Sequence, residues 1–255
     1  MLNFIDYPIL VLTFSFAVLW IAAFIGTWIR KKRPNLIADQ EDHQDLVFVL
    51  GGTLTLLGLI IGFAFSMAVS RYDKRKDCEA EEANAIGTEY LRAGLLPSTD
   101  AAVVRDLLRK YVYVRIREYQ TRRKSQPREL DSETAKLQDE MWSAAIKPAP
   151  AQPSAVAALA IAGMNDVLNS QGYTQAAFRN RIPSAAWGLL VSIAIFCNFL
   201  VGYSAHRRGA VVLLILPIAL GICLFLIADI DSPNGGMIRI VPRNLESTAA
   251  SMNLN

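Results

Sequence analysis

The side chains able to do acid–base, nucleophilic or metal chemistry are few and scattered. His43 and His206 are the two histidines, and Cys78, Cys197 and Cys223 are spaced neither as metal ligands nor as a disulfide framework. Asp229 and Asp231 stand just past an apolar run, where a pair of carboxylates can attract a hard cation. Such ions take about six to eight oxygens, and no third donor cluster accompanies the pair. No nucleophile sits beside a base, and no glycine-rich phosphate loop or His–Cys spacing occurs. No Asp, Glu, Lys or Arg lies at mid-depth in any long apolar run, which argues against a proton relay or a charge-driven transporter. The expectation is a protein that is not an enzyme, with no cofactor and no metal site.

One pattern does carry chemical meaning. In the run LVFVLGGTLTLLGLIIGFAFSMAVS, Leu46 to Ser70, helical spacing of about 100° per residue puts Gly51, Thr55, Gly58, Gly62, Phe65 and Ser66 on one stripe. Small residues so spaced let another backbone approach closely, so tight helix packing within or between subunits is one reading. The other is a pore wall in an oligomer, with Thr55 and Ser66 as polar lining and Phe65 as a constriction that gates by dewetting.

The elements that must present this face follow from composition. The chain is 53% hydrophobic with a net charge of only +3, which favours a lipid bilayer as partner and gives no field for nucleic acid. Four apolar runs are long enough to span: Ile9 to Ile29, Leu46 to Val69, Ala185 to Tyr203 and Ala210 to Ile227. The second continues without Pro into RYDKRKDCEAEEANAIGTEYLRAGLL, so one helix is expected to leave the membrane intact and reach about Leu96, where Pro97 stops it. On that helix Arg71, Lys74 and Arg75 are expected at lipid headgroups, and Arg75 can pair with Glu79. After it come a helix with the apolar stripe Val104, Leu107, Leu108, Tyr111, Val112, Ile116 and Tyr119, and a helix capped at Asp131 or Ser132 and running through Ile146. The proline-rich linker KPAPAQPS leads to an alanine-rich helix ending near Arg181. Asp106 and Glu118 mark the first of these helices as having a solvated face. In the last two spans, Asn198 is expected to bond between helices and Pro217 to kink its own. In the tail, MIRIV reads as a short strand or extended clip.

The fold expected is therefore all-α and membrane-embedded, with four transmembrane helices and a helical extramembrane domain inserted between spans two and three. Its divisions are a first helix pair at 1–70, the helical domain at 71–183, a second pair at 184–230 and a C-terminal tail at 231–255. RKKR after the first span and HRR between the last two favour those loops inside. Arg71, Lys74, Arg75 and Lys76, with Arg179 and Arg181, favour the domain side instead. Membrane-adjacent positives are more numerous there, which tips the domain towards the cytosol.

RYDKRKDCEAEEANAIGTEYLRAGLLP, Arg71 to Pro97, resembles the signature of a family of uncharacterised bacterial membrane proteins termed bestrophin-like. DIDSPNGGMIRI, Asp229 to Ile240, is similar to that family's second motif, and FRNRIPSAAW before the third span fits as well. The positions that match are Arg71, Tyr72, Arg75, Glu82, Ala83, Asn84, Ala85, Ile86, Gly87, Tyr90, Arg92, Leu96 and Pro97, then Asp231, Pro233 and Gly236. The resemblance implies kinship with bestrophins, ligand-gated anion channels built as ring-shaped oligomers with four spans and a helical cytosolic domain per subunit. The functional expectation is a homo-oligomeric ion channel of the bacterial inner membrane, multi-pass, conducting an ion of the anion class through a pore lined by the second span. The competing expectation is a non-conducting scaffold or signalling component that docks a protein partner through its helical domain.

Overall fold

The computed structural model describes residues 7–32, 40–121, 128–148, 155–205, 212–233 and 235–253. Eight α-helices occur among them: α1 Pro8–Lys32, α2 Gln40–Arg92, α3 Ser98–Thr121, α4 Arg128–Ile146, α5 Ala155–Arg179, α6 Ser184–Ser204, α7 Val212–Asp231 and α8 Arg243–Asn253. The described residues hold no strand, so MIRIV is irregular chain. The basic clusters Arg33 and His206 to Arg208, and most of the linker KPAPAQPS, lie outside the described residues.

The chain divides into two compact units, Met1–Arg71 with Arg181–Arg239, and Tyr72–Asn180 with Ile240–Asn255. α2 supplies both, its apolar part to the first and its charged part to the second. It is one continuous helix of 53 residues. It starts at Gln40, before Leu46, because nothing in QEDHQD is Pro or Gly and polar residues alone do not stop a helix. It finishes in a 3₁₀ turn, Ala93–Leu95, and Pro97 then offers its carbonyl to Ala101 N–H (2.8 Å) as α3 begins.

Four helices are long and apolar enough to cross a membrane: α1, α2, α6 and α7. In the first unit α1 and α6 run parallel at close range. A Cβ on Gly26 would overlap the Phe199 carbonyl and sit 2.7 Å from Tyr203 N, and one on Gly202 would overlap the Ala23 carbonyl. Glycine is required at this crossing because backbone meets backbone. Arg30 closes that end of the pair by donating to the Tyr203 carbonyl at 2.7 Å. α7 runs through Pro217 without interruption. Asn198 is buried in α6, but its amide donates to Ala194 O one turn back (2.8 Å) and not across helices, since the i−4 carbonyl is the nearest acceptor in a span.

The second unit has its own core: Ile86 and Tyr90 of α2, Val104, Leu108, Tyr111 and Val112 of α3, Met141 of α4, Met164 and Val167 of α5, and Leu245 and Met252 of α8. The α3 stripe read from the sequence is buried as expected except at Leu107, which is half-buried. α4 begins at Arg128, a turn earlier than Asp131. α8 was legible only as tail, although Leu245, Ala249 and Met252, all buried, recur at helical spacing.

Candidate functional site

Within the first unit, only 6% of the apolar window of α2 is buried, against 28–44% for the windows of the other three candidate spans. Its buried residues Leu57, Ala64 and Ala68 form a narrow stripe, and Thr53 on the same side meets the Cys197 thiol of α6. Gly51, Thr55, Gly58, Gly62, Phe65 and Ser66 lie together on another face, and all six are exposed. A Cβ on Gly51, Gly58 or Gly62 would meet nothing within 4 Å. Thr55 turns its hydroxyl back to Gly51 O (2.9 Å), which leaves hydroxyl lone pairs on this face to accept from outside. Phe65, 43% exposed, is the only aromatic of the six. An apolar helix this uncovered, with glycines spaced for close approach, has a surface that must be completed by something beyond the protomer.

The signature residues of α2 beyond the span form no such open face. Arg75 is buried within the protein and so is not among headgroups. Glu82 is fully buried and accepts from Arg115 Nε at 2.5 Å and from the Thr174 hydroxyl at 3.0 Å. Arg115 also pairs with Glu118, one turn on in α3. Glu118 is thus a buried partner of an arginine and no part of a solvated face. Burial alone would push the Arg115 guanidinium down, but the carboxylates of Glu82 and Glu118 outweigh that and hold it above its ordinary value. Tyr111, buried beside this cluster, has its phenol pushed up by desolvation.

Glu79 serves α8. Its carboxylate accepts from the backbone N–H of Asn244 and of Leu245, both at 3.0 Å, and from Asn244 Nδ2 at 2.6 Å. An acid from a distant helix therefore supplies the N-terminal cap, where orphan N–H groups and the helix dipole favour negative charge. At the other end Tyr90 donates to the Met252 carbonyl (3.2 Å) and accepts from Arg109, whose Nε also reaches Met252 O at 3.2 Å. Arg105 and Arg109 stack on the Tyr90 ring at 5.2 and 5.3 Å. Among the remaining signature positions Asn84 and Pro97 are exposed, whereas Arg71, Tyr72, Gly87 and Arg92 are half-buried.

Glu89 differs from these acids. It is wholly buried, both its oxygens lack a hydrogen-bond partner, and a Cβ on Gly163 of α5 would overlap its Oε2. Desolvation pushes its carboxyl up to about 8, opposed by Arg92 and reinforced by Asp166.

In the first unit, Asp229 and Asp231 organise chain rather than metal. Asp229 accepts from Met237 N–H (2.6 Å) and Ile238 N–H (2.9 Å), and Asp231 from Ile182 N–H (3.1 and 3.3 Å) with Arg181 at 3.6 Å. Gly236 is obligatory in this turn, since a Cβ there would overlap the Asp229 carbonyl. Pro233 is half-buried beside it. No group of three or more metal-ligating side chains occurs among the described residues.

Four spanning helices and a helical unit built on the extension of the second define an integral, all-α membrane protein. A family model described as the bestrophin-like domain matches residues 17–245, and the chain belongs to that family. Its fold is similar to that of a bacterial bestrophin homologue from Klebsiella pneumoniae. One point variant of that protein aligns with TM-score 0.69 at 13% identity over 95% of this chain and 98% of that one. A second variant gives 0.68 at 12% over 96% and 99%, and a structure solved by zinc phasing gives 0.65 at 13% over 93% and 98%. No curated protein sequence matches.

Proposed function

We propose that this chain assembles with copies of itself into a multi-pass ion channel of the bacterial inner membrane, with the Gly51–Thr55–Gly58–Gly62–Phe65–Ser66 face of α2 turned to the pore. The observation that supports this most is the uncovered state of α2 beside three spans that bury much more of themselves. A ring with that face inward covers the sides of α2 with neighbouring subunits and leaves the stripe to water. No charged side chain stands between Leu46 and Ser70, so permeant ions meet hydroxyls, backbone and the Phe65 ring. The stretch Arg71 to Asp77 carries four cations to two acids, but Arg71, Lys74 and Arg75 lie on the side of α2 away from the Gly51–Ser66 face, so this charge bears on membrane orientation and not on ion choice. The same excess of membrane-adjacent positive charge supports a cytosolic helical domain.

The test has two stages. Native mass spectrometry of the protein in mild detergent and in nanodiscs is expected to show a closed ring of several protomers. Chloride flux into vesicles is then expected, and Phe65→Ala should raise it by widening the constriction. A monomer or dimer in both media, or flux unchanged by Phe65→Ala, overturns the pore assignment. The first of these results, with no flux at all, puts a scaffold that docks a partner through its helical unit in front.

A further inference from the structure

In the second unit, near the end of α2, Glu89 is buried without a donor. Its side chain does not reach solvent, and both carboxyl oxygens lack a hydrogen-bond partner. α5 lies directly on it. A Cβ on Gly163 would overlap Glu89 Oε2 and stand 2.6 Å from Arg92 Nη1, so the carboxyl and the guanidinium both press on one bare Cα. Arg92, one turn on in α2, is paired at long range with Asp166 of α5, 4.0 Å away and 66% exposed. Arg92 and Asp166 are the charges that act on Glu89. The 3₁₀ turn Ala93–Leu95 brings none, and the α3 cations Arg105 and Arg109 are held on the Tyr90 ring and on the oxygens of Tyr90 and Met252. A carboxyl with no donor in a desolvated site is stable there only while it keeps its proton.

We infer that Glu89 is a proton-controlled latch between α2 and α5: protonated, it lets α5 close on α2 at Gly163, and ionised, it draws in Arg92 and water and lifts that turn of α5 away. The step is the loss of one proton from the Glu89 carboxyl to solvent. The carboxylate left behind needs donors. Arg92 is the cation that acts on it, and to reach it the guanidinium must leave Asp166 and enter space that the Gly163 backbone fills. Closure of α5 and ionisation of Glu89 therefore exclude each other. Desolvation pushes the carboxyl up to about 8, with Arg92 opposing and Asp166 adding, so the latch is closed at neutral pH and opens in mildly alkaline water. The inference is independent of conduction.

Hydrogen–deuterium exchange of the full-length protein in nanodiscs, corrected for the intrinsic pH dependence of exchange, tests the latch. Protection of the α5 amides around Gly163 is expected to fall at least several-fold as pH rises from about 6 to about 9, while the α3 core keeps its protection. Glu89→Gln retains the shape of the neutral acid and should hold α5 closed throughout. Asp166→Asn, at an exposed position, should move the midpoint to lower pH, because it removes a charge that opposes ionisation and frees Arg92. A merely structural contact would show no such shift. The parent profile and the Asp166→Asn shift stand even if Glu89→Gln fails to fold. Protection of α5 that is independent of pH in the parent overturns the inference, as does a midpoint unmoved by Asp166→Asn or a fall that persists in Glu89→Gln. Loss of α3 protection together with that of α5 also overturns it, because the response is then global unfolding.

Discussion

Glu82 of α2 and Arg115 of α3, 33 residues apart, form an ion pair at 2.5 Å in which neither side chain reaches solvent. Glu118 shares the same guanidinium, and Thr174 of α5 donates to Glu82. Three helices of the second unit therefore converge on the Glu82 carboxylate. A buried pair adds little net stability over an apolar replacement, but removing one partner alone strands a charge, at a cost of about 3–5 kcal/mol.

Arg115→Met should be the most damaging single change in this cluster, because it strands two carboxylates. Glu82→Gln leaves Glu118 on the guanidinium and should cost less. Apparent melting temperatures of the detergent-solubilised variants check the order, and an equal or smaller loss in Arg115→Met contradicts it.

Glu79→Ala should loosen α8. The carboxylate holds three donors at the start of that helix, and losing a cap costs about 0.5–2 kcal/mol. Hydrogen–deuterium exchange should quicken over residues 243–253 while α3 stays protected.

Glu89 sets a pH dependence whose sign is fixed by its raised value. Folded protein keeps a proton on Glu89 up to about 8, whereas an unfolded carboxyl releases it near 4.5. The stabilising contribution of the neutral form is complete below the unfolded value, falls as pH rises through the interval, and is lost above about 8. The charges facing the group are Arg92 on its own helix and Asp166 on α5. Glu89→Gln, which mimics the neutral acid, should flatten the fall in melting temperature across that interval, and a slope identical to the parent's would falsify the assignment.

Glycines in the spans should separate into two classes. Gly202→Leu drives a side chain into the Ala23 backbone and should abolish accumulation of folded protein. A Cβ on Gly62 has nothing within 4 Å in the protomer, so with Gly62→Leu the folded protomer should persist while its oligomeric mass changes. Size-exclusion profiles with light scattering distinguish the two. A Gly62→Leu protein with an unaltered assembly would place that face outside any subunit contact.

Four spans, the unbroken passage of α2 out of the apolar region and the buried stripe of α3 are legible in the sequence alone. Each rests on local quantities: enough consecutive apolar residues to match hydrocarbon thickness, no Pro to break the helix, and apolar side chains at helical period. Gly51, Gly58 and Gly62 are likewise readable as a face. That the face is bare while Gly26 and Gly202 meet neighbouring backbone depends on which helices adjoin. The partners of the buried acids are equally non-local. That Glu79 caps α8, 165 residues on, is nowhere visible in its i,i+4 spacing from Arg75. Glu118 reads as solvated until it is found buried against Arg115, whose guanidinium also takes Glu82 of α2. Helix periodicity determines which residues share a side. Only the tertiary contacts decide whether that side meets lipid, water, backbone or a buried opposite charge, because desolvation and pairing are properties of neighbours that the chain order does not specify.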